Sequence, residues 1–591
     1  MADLIKKIKI KKQDDTYTDY IPIGADAKNV EMKDGESVES KVNRKPYYYR
    51  TVAEMKEDNR LKDGDVAITL GYYEVNDGGA AEYYITGEIK DSEWQEKIDN
   101  NLYATLLTDI KNINVLQLGV KRNVTEDQSV TVNKILQLPM KKIFYFPIGR
   151  YYFTHKLINN KRHDIIGDIN TATDFDRQIN GTRFYFTKMQ DNDILIDCYN
   201  GSRCSIRDIY VINDNVEITL DKSLFSDGTI PSDIFTKTIK NNNIIGIRLG
   251  NFGNQLQNVA IYGCNIGISA NTYNVLTNVA IMCCEIGLQC YNDNTMTNIN
   301  CQRCETGILI KGGLNNFSQV RLDSIRYNGL EILSGANANN INNFIADICQ
   351  YASILINNSR HNVIDGVIGR SGTYYVNFEP SPEVDATKAC KVCLKNSSAY
   401  NRIHIIAYRG NATDNDQTFK FISTYIVACS GSDDNHNSHN DIEIVGKVFE
   451  NDVEMTDLLT IDQLKKIYNP YKGYISGTVT FQGITYIIPV TRIPSESNIR
   501  VLKPVKYNES LVVLNQYNNL DMGGNKIVNV NEMRIGNNTE GWVSLQKSSE
   551  QGNLKVQNIS SSYTYTNAQI TGVAAPTLSS SAVNKSYVDN L

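Results

Sequence analysis

Three things are scarce in this 591-residue chain, and each scarcity closes off a class of function. No apolar run approaches the roughly 18 residues a helix needs to cross a bilayer, so membrane insertion is not expected. Basic charge is not in excess: 60 Lys+Arg stand against 66 Asp+Glu, a net −6, and no basic field suited to nucleic acid results. Histidine is rare, with six residues including His155, His361 and His404, and no metal-binding or triad constellation stands out among them. His361, close to Asp365 in sequence, reads as a surface residue. The opening MADLIKKIKIKK has charge but no apolar core behind it, so it does not read as a secretory signal. A chain made in the cytoplasm without a signal still works outside the cell when another assembly carries it there.

Cysteine is not scarce, but its spacing argues against its usual uses. The two C-x-x-C pairs, Cys301/Cys304 and Cys390/Cys393, are too far apart for an ordinary zinc site. Cytosolic synthesis argues against disulfides. No metal or other cofactor is expected.

What the chain does have is repetition. CNIGISA, CEIGLQC and CETGILI begin at Cys264, Cys284 and Cys304, and a glycine column runs Gly246, Gly267, Gly287, Gly307, Gly329 at intervals of 21, 20, 20 and 22. A second column reads LQNVAI (256–261), LTNVAI (276–281) and MTNINC (296–301), then loosens into FSQVRL (317–322) and NNFIAD (342–347). Self-similarity at this period signals a solenoid. The leucine framework of leucine-rich repeats is missing. Within each repeat Val259 and Ile261 alternate with Asn258 and Ala260, which is strand periodicity. The fold class expected is all-β: a right-handed parallel β-helix with several short strands per rung. Rungs about 4.8 Å apart stack equivalent side chains, so the three cysteines become an inward ladder of small apolar thiols. The glycines are expected at turns with positive φ. Upstream, KKIFYFPIGRYYF (141–153), DIIGDI (164–169), RFYFT (183–187), DILIDC (193–198) and SIRDIYVI (205–212) read as further strands.

Three stretches carry a resemblance. LGVKRNVTEDQSVTVNKIL with IFYFPIGRYYF (118–153) resembles the opening rungs of the pectate-lyase-like superfamily, where Phe146, Pro147, Gly149 and Tyr151 match closely and Gly119 and Asp127 more loosely. TVAEMKEDNRLKDGDVAITLGYYEVNDGGAAEYYI (51–85) resembles a small adaptor module of bacteriophage tail spikes. It opens with a capping-box pattern, Thr51 to Glu54, and places two strands around the NDGG turn at 76–79. LDMGGNKIVNV (520–530) and ITGVAAPTLSSSAVNKSYVDNL (570–591) resemble the ends of trimeric phage tail fibres. The resemblance implies a phage tail spike akin to pre-neck appendages: a homotrimer, attached to tail or collar proteins through its N-terminus, whose partner is a host cell-wall glycan. The organisation expected is a virion-attachment segment (1–45), an adaptor (46–112), the β-helix (113–450), a small β-rich domain (451–510) and a fibre-like segment (511–591). Within the fourth, 457–469 reads as a helix and 475–490 as a strand pair around Gln482-Gly483.

Proteins of that architecture commonly bind, and often cleave, a surface polysaccharide or teichoic acid. Hydrolysis of a glycosidic bond uses two carboxylates, one protonated and one ionised. Two carboxylate columns are available. Asp323 and Asp347 align 24 residues apart, and Glu285 and Glu305 share a position in consecutive repeats. Around the first pair lie Arg321, Arg326, Tyr327, Tyr351, Arg360, Asp365 and Arg370, a mixture suited to an anionic sugar polymer through charge-assisted hydrogen bonds and ring stacking. Stacked acids on a solenoid face are also commonly just solvated or paired with an arginine. Three readings stay open: a trimeric spike that degrades its glycan, a trimeric adhesin that only binds it, and a purely structural tail component.

Overall fold

The computed structural model describes residues 7–11, 17–22, 46–98, 101–107, 112–168, 181–214, 216–219, 236–239, 243–349, 351–369, 390–407, 425–430, 436–445 and, beyond these, short strands between 449 and 567. Met1–Tyr517 and Asn518–Leu591 form two compact units.

Two long parallel ladders dominate the first unit. Strands Gln255–Tyr262, Val275–Met282, Thr295–Gln302, Asn316–Ile325 and Asn340–Cys349 stack in one, and Ile266–Ala270, Ile286–Cys290, Thr306–Ile310, Asn328–Ile332 and Ala352–Asn357 in the other. The chain alternates between the ladders, one strand of each per turn. That is a parallel β-helix. Register is exact where the repeat is exact: Val259 pairs with Val279 and then Ile299, and Ile261 with Ile281 and then Cys301.

Each coil turns at left-handed residues. One column is Asn258, Asn278, Asn298, Gln319 and Asn343; a second is Gly263, Cys283, Arg303 and Ser324; a third is Gly253, Tyr273, Asp293, Leu314, Ala338, His361, Tyr400 and His439. Three such corners bend each turn into three faces, so each long strand is two short ones kinked at the first corner. Asparagine suits that corner because it tolerates the left-handed region and hydrogen-bonds locally. Here Asn278 donates its side-chain amide to Asn258 at 3.0 Å, and Asn298 to Asn278 at 2.8 Å.

The cysteines lie inside, as their spacing requires. Ten cysteines, Cys264, Cys284 and Cys304 among them, are free and buried. Cys284 and Cys304 hydrogen-bond to the carbonyls of Met282 and Gln302, each two residues back. The glycine column does something different from the expected turn. Gly246, Gly267, Gly287, Gly307 and Gly329 are absent from the positive-φ positions among the described residues and sit within the second ladder instead. A Cβ on Gly267 would lie 2.6 Å from the carbonyl oxygen of Gly287, and one on Gly287 2.6 Å from that of Gly307. Close approach between rungs selects glycine, not dihedral freedom. The left-handed residue is the one before each cysteine.

A further ladder runs through the core. Asn254, Asn274, Asn294, Asn315, Asn339, Asn362, Asn401 and Asn440 are all buried, and each of the first seven donates its side-chain amide to the oxygen of the next at 2.9–3.2 Å. The oxygens of Asn294 to Asn440 also accept the preceding member's backbone N–H, those of Asn274 to Asn401. A buried amide is stable only when its donors and acceptors are met, and stacking one per rung meets them.

The opening rungs are filled by rings. Phe144, Phe146, Tyr151, Phe153, Phe184 and Phe186 are fully buried, several in edge-to-face contact. The helix Ser129–Leu136 closes this end, burying Val132, Ile135 and Leu136. Its Asn133 pairs with the strand Leu157–Ile158, accepting the Ile158 N–H and donating to the Lys156 carbonyl, both at 2.8 Å. Asp127 ties the helix start to the next strand, accepting hydrogen bonds from the backbone and hydroxyl of both Ser129 and Thr154.

Before the β-helix, a five-stranded sheet spans Tyr47–Tyr49 to Tyr103–Leu107. The helix Val52–Lys56 is capped by Thr51, whose side chain accepts the Glu54 N–H at 3.2 Å. Glu54 reaches back to the Arg50 N–H, one residue beyond the expected capping-box partner. Strands Val66–Thr69 and Ala81–Thr86 flank the NDGG turn, in which Asp77 accepts four backbone N–H groups, those of Tyr72, Tyr73, Glu74 and Gly79. Downstream, Tyr474–Phe481 pairs in parallel with His436–Val445 and antiparallel with Ile484–Thr491. The helix expected at 457–469 falls mostly outside the described residues. The second unit contains a four-stranded antiparallel sheet, Glu532–Asn537 to Tyr565–Asn567.

Candidate functional site

Asp323 and Asp347 stand directly over one another on adjacent rungs of the first ladder. Their column reads Tyr262, Met282, Gln302, Asp323, Asp347, so charge begins where the strict repeat loosens. Arg321, two residues before Asp323 on the same outer face, holds its guanidinium 3.5 Å from the Asp323 carboxylate. Ser324 donates its hydroxyl to the same carboxylate at 3.1 Å. The next position along the column is Gly369, whose N–H binds the Ala346 carbonyl at 2.8 Å. A Cβ there would fall 2.8 Å from an Asp347 carboxylate oxygen. Glycine therefore makes room for that carboxylate. Lys391, buried, donates its ammonium to the carbonyl of that same Gly369 at 2.7 Å.

The remaining candidates gather around the corner formed by Ser324. Glu305 meets Arg326 at 3.6 Å, and the Arg326 guanidinium lies over the Tyr327 ring, 5.3 Å from its centroid. Tyr351 follows Tyr327 on the next rung, its N–H bound to the Tyr327 carbonyl at 3.1 Å. Glu285 is one rung before Glu305, each partly exposed, and its backbone N–H binds the carbonyl of Cys264. The structure thus forms two clusters on either side of one corner: Arg321, Asp323 and Asp347, and then Glu305, Arg326, Tyr327 and Tyr351. Arg370 lies outside the described residues, and Arg360 is exposed on another corner, beside His361.

Three features escaped the sequence reading. Lys391 and Gly369 are the first two; Gly369 was legible as the next member of the Asp347 column. The third is a column Asp365, His404, Glu443, in register on consecutive rungs. His404 Nδ1 meets the Asp365 carboxylate at 2.9 Å, on the surface. His361 does not pair with Asp365; it stacks on Tyr400, which stacks in turn on His439. Among the described residues, no group of three or more His, Cys, Asp or Glu side chains could hold a metal ion.

No family model and no curated protein matches this chain. Solved structures do. Full-length tailspike protein 2 of an Escherichia coli bacteriophage superposes with a TM-score of 0.52 at 12% identity, covering 94% of this chain and 67% of that one. The tailspike of an Acinetobacter phage gives 0.45 at 11%, over 91% and 96%. What the first of these shares with this chain is the fold.

Proposed function

We propose that this chain is a bacteriophage tail spike, a virion appendage that recognises a host surface polysaccharide or teichoic acid during adsorption and hydrolyses it. The observation that carries the proposal is the in-register pair Asp323 and Asp347, with Arg321 beside Asp323 and Lys391 on the neighbouring Gly369 carbonyl. Adjacent rungs hold the two residues about 4.8 Å apart at the backbone, and carboxyl groups about 5 Å apart are what a retaining glycosidase uses. In this reading one carboxyl protonates the leaving oxygen while the other attacks the anomeric carbon. Arg321, Arg326 and Tyr327 hold the polymer across the corner. The working particle is a homotrimer: residues 1–45 anchor it to tail or collar proteins, the 46–112 module links anchor to β-helix, 451–510 leads on from the helix, and the C-terminal segment from 511 completes it. Threefold avidity then multiplies weak sites.

A non-cleaving adhesin is the second reading, favoured by the ion pair and hydroxyl that already occupy Asp323 as an acceptor. Purified chain incubated with host wall polymer separates the two. Shortened polymer with the wild type, abolished in Asp323→Asn and Asp347→Asn, supports hydrolysis; full-length polymer with retained binding leaves the adhesin; no binding by any form removes both.

A further inference from the structure

A histidine and a carboxylate lie apart from Asp323 and Asp347 yet share a face with them. Asp365, His404 and Glu443 follow one another in register on three rungs, with Asp365 and Glu443 exposed and His404 partly so. His404 Nδ1 is 2.9 Å from the Asp365 carboxylate. An ionised carboxylate only accepts, so Nδ1 carries the hydrogen and Nε2 the lone pair of the neutral ring.

The outer face around this contact is flat. Upstream, each rung bends at the left-handed asparagine corner, the last of them Asn343. The strand Val363–Ile368 pairs Ile364 with Ile341 and then Gly366 with Phe344, so Asp365 alone stands opposite Asn342 and Asn343. No residue of Val363–Ile368, Arg402–Ala407 or 441–445 is left-handed. With that corner gone, Asp365 lies in line with Gly369, the residue that makes room for the Asp347 carboxylate. Four residues of extended chain, about 13 Å, separate the two. Between them runs an in-register aliphatic column, Ile345, Val367, Ile406 and Val445, of which Ile345, Ile406 and Val445 are exposed. Arg402, two residues before His404, is exposed on the other side, in register with Asp441.

We propose that His404 is the general base of a second hydrolytic centre, which removes carboxylic ester substituents from the polymer that the carboxylate pair cuts. The identity of that polymer rests on the reading above; the ester chemistry rests on these residues. Asp365, Asp441 and Glu443 outnumber the one guanidinium of Arg402, which disfavours an anionic phosphodiester and tolerates a neutral ester. Ile406 and its column give the acyl group an apolar surface beside the base. An alcohol needs one returned proton to leave, and one imidazole supplies it.

In the first step a water oxygen bonds to the ester carbonyl carbon while Nε2 takes the water's proton. Asp365 positions the ring and stabilises the imidazolium through Nδ1, and Arg402 offers its guanidinium to the developing oxyanion. The carbonyl then re-forms, the bond from its carbon to the sugar oxygen breaks, and Nε2 gives the proton to that oxygen. Ester and water become acid and alcohol, and the histidine ends neutral.

The test measures acetate released by the full chain from glucose pentaacetate and from O-acetylated host wall polymer. His404→Ala should lower kcat/KM about 100-fold or more, and added imidazole should restore part of the loss, which a merely structural role would not allow. Asp365→Asn should lower kcat and leave KM unchanged. No acetate above the uncatalysed rate from the wild type, equal release by His404→Ala, or no recovery with imidazole would each overturn the proposal. Polymer length, followed in the same samples, reports separately on Asp323 and Asp347. Acetate without shortening overturns only the glycosidic reading, and shortening without acetate overturns only this one.

Discussion

The opening rungs and the central rungs obey the same stacking rule and fill their interiors by opposite means. Near the cap, bulky rings meet edge to face: Phe146 against Tyr151 and Phe184, Phe153 against Phe184. In the centre the interior holds thiols, branched aliphatics and a line of buried amides. The rings interlock through shape, so no residue needs to repeat. The central rungs are held by like stacked on like, so repetition is the stabilising device itself. Regularity in sequence therefore reports how a rung is filled, not whether a rung exists.

The contrast predicts different costs for damage. Phe184→Ala should be the most destabilising, about 3–5 kcal/mol, because its ring touches three neighbours and the cavity cannot collapse. Urea unfolding followed by tyrosine fluorescence measures it, and a loss under about 1 kcal/mol would mean the cap rungs are loosely packed. Asn315→Ala comes next. It removes an acceptor from Asn294 and a donor to Asn339, and orphaning buried polar groups costs about 1–3 kcal/mol for each. Its effect should spread, raising amide exchange at the flanking rungs, whereas exchange around Phe184 should rise only locally. Gly287→Ala drives a methyl against the Gly307 carbonyl and should cost about 1–3 kcal/mol. If dihedral freedom were the reason for glycine, alanine would be tolerated, since this position is not left-handed.

Acid sharpens the comparison at the cap alone. Burial by itself would raise the pKa of Asp127, but the hydrogen bonds from Ser129 and Thr154 together bring it down to about 2. A depressed folded-state value makes the contribution present above the ordinary aspartate pKa of about 3.9 and lost as pH falls toward 2. Between pH 5 and pH 2 the wild type should therefore lose on the order of 1–2 kcal/mol that Asp127→Asn, already weaker at neutral pH, does not. Identical acid profiles of the two forms, by thermal melting, would contradict this. The smallest effect belongs to Cys284→Ala, about 1 kcal/mol, because a thiol acts there as a small apolar filler.

Much of the architecture was legible because one residue type recurs: the Cys264, Cys284, Cys304 column fixed the period and the inward face. The buried asparagine column was equally visible, at Asn254, Asn274, Asn294, Asn315, Asn339 and Asn362, yet asparagine before a strand reads as turn chemistry until an inward face is assigned. The glycines were placed correctly by period and misread in cause, since φ and close approach leave the same residue in sequence. At the site, Asp323 over Asp347 followed from alignment. Lys391 and the Asp365–His404 contact did not, because intervals stretch from 23 to 39 residues there (Asn339 to Asn362, then Asn362 to Asn401) and column alignment by eye fails.

Stacking in exact register is the claim on which both the fold and the paired carboxylates depend. Spin labels placed through cysteine at Gln257 and Thr297, outer positions two rungs apart in one column, measure it directly, ten of the native thiols being buried. The account predicts backbones about 9.6 Å apart, twice the rung spacing, and strong dipolar broadening. A separation beyond about 20 Å, or a broad spread of distances, would contradict a β-helix in this register.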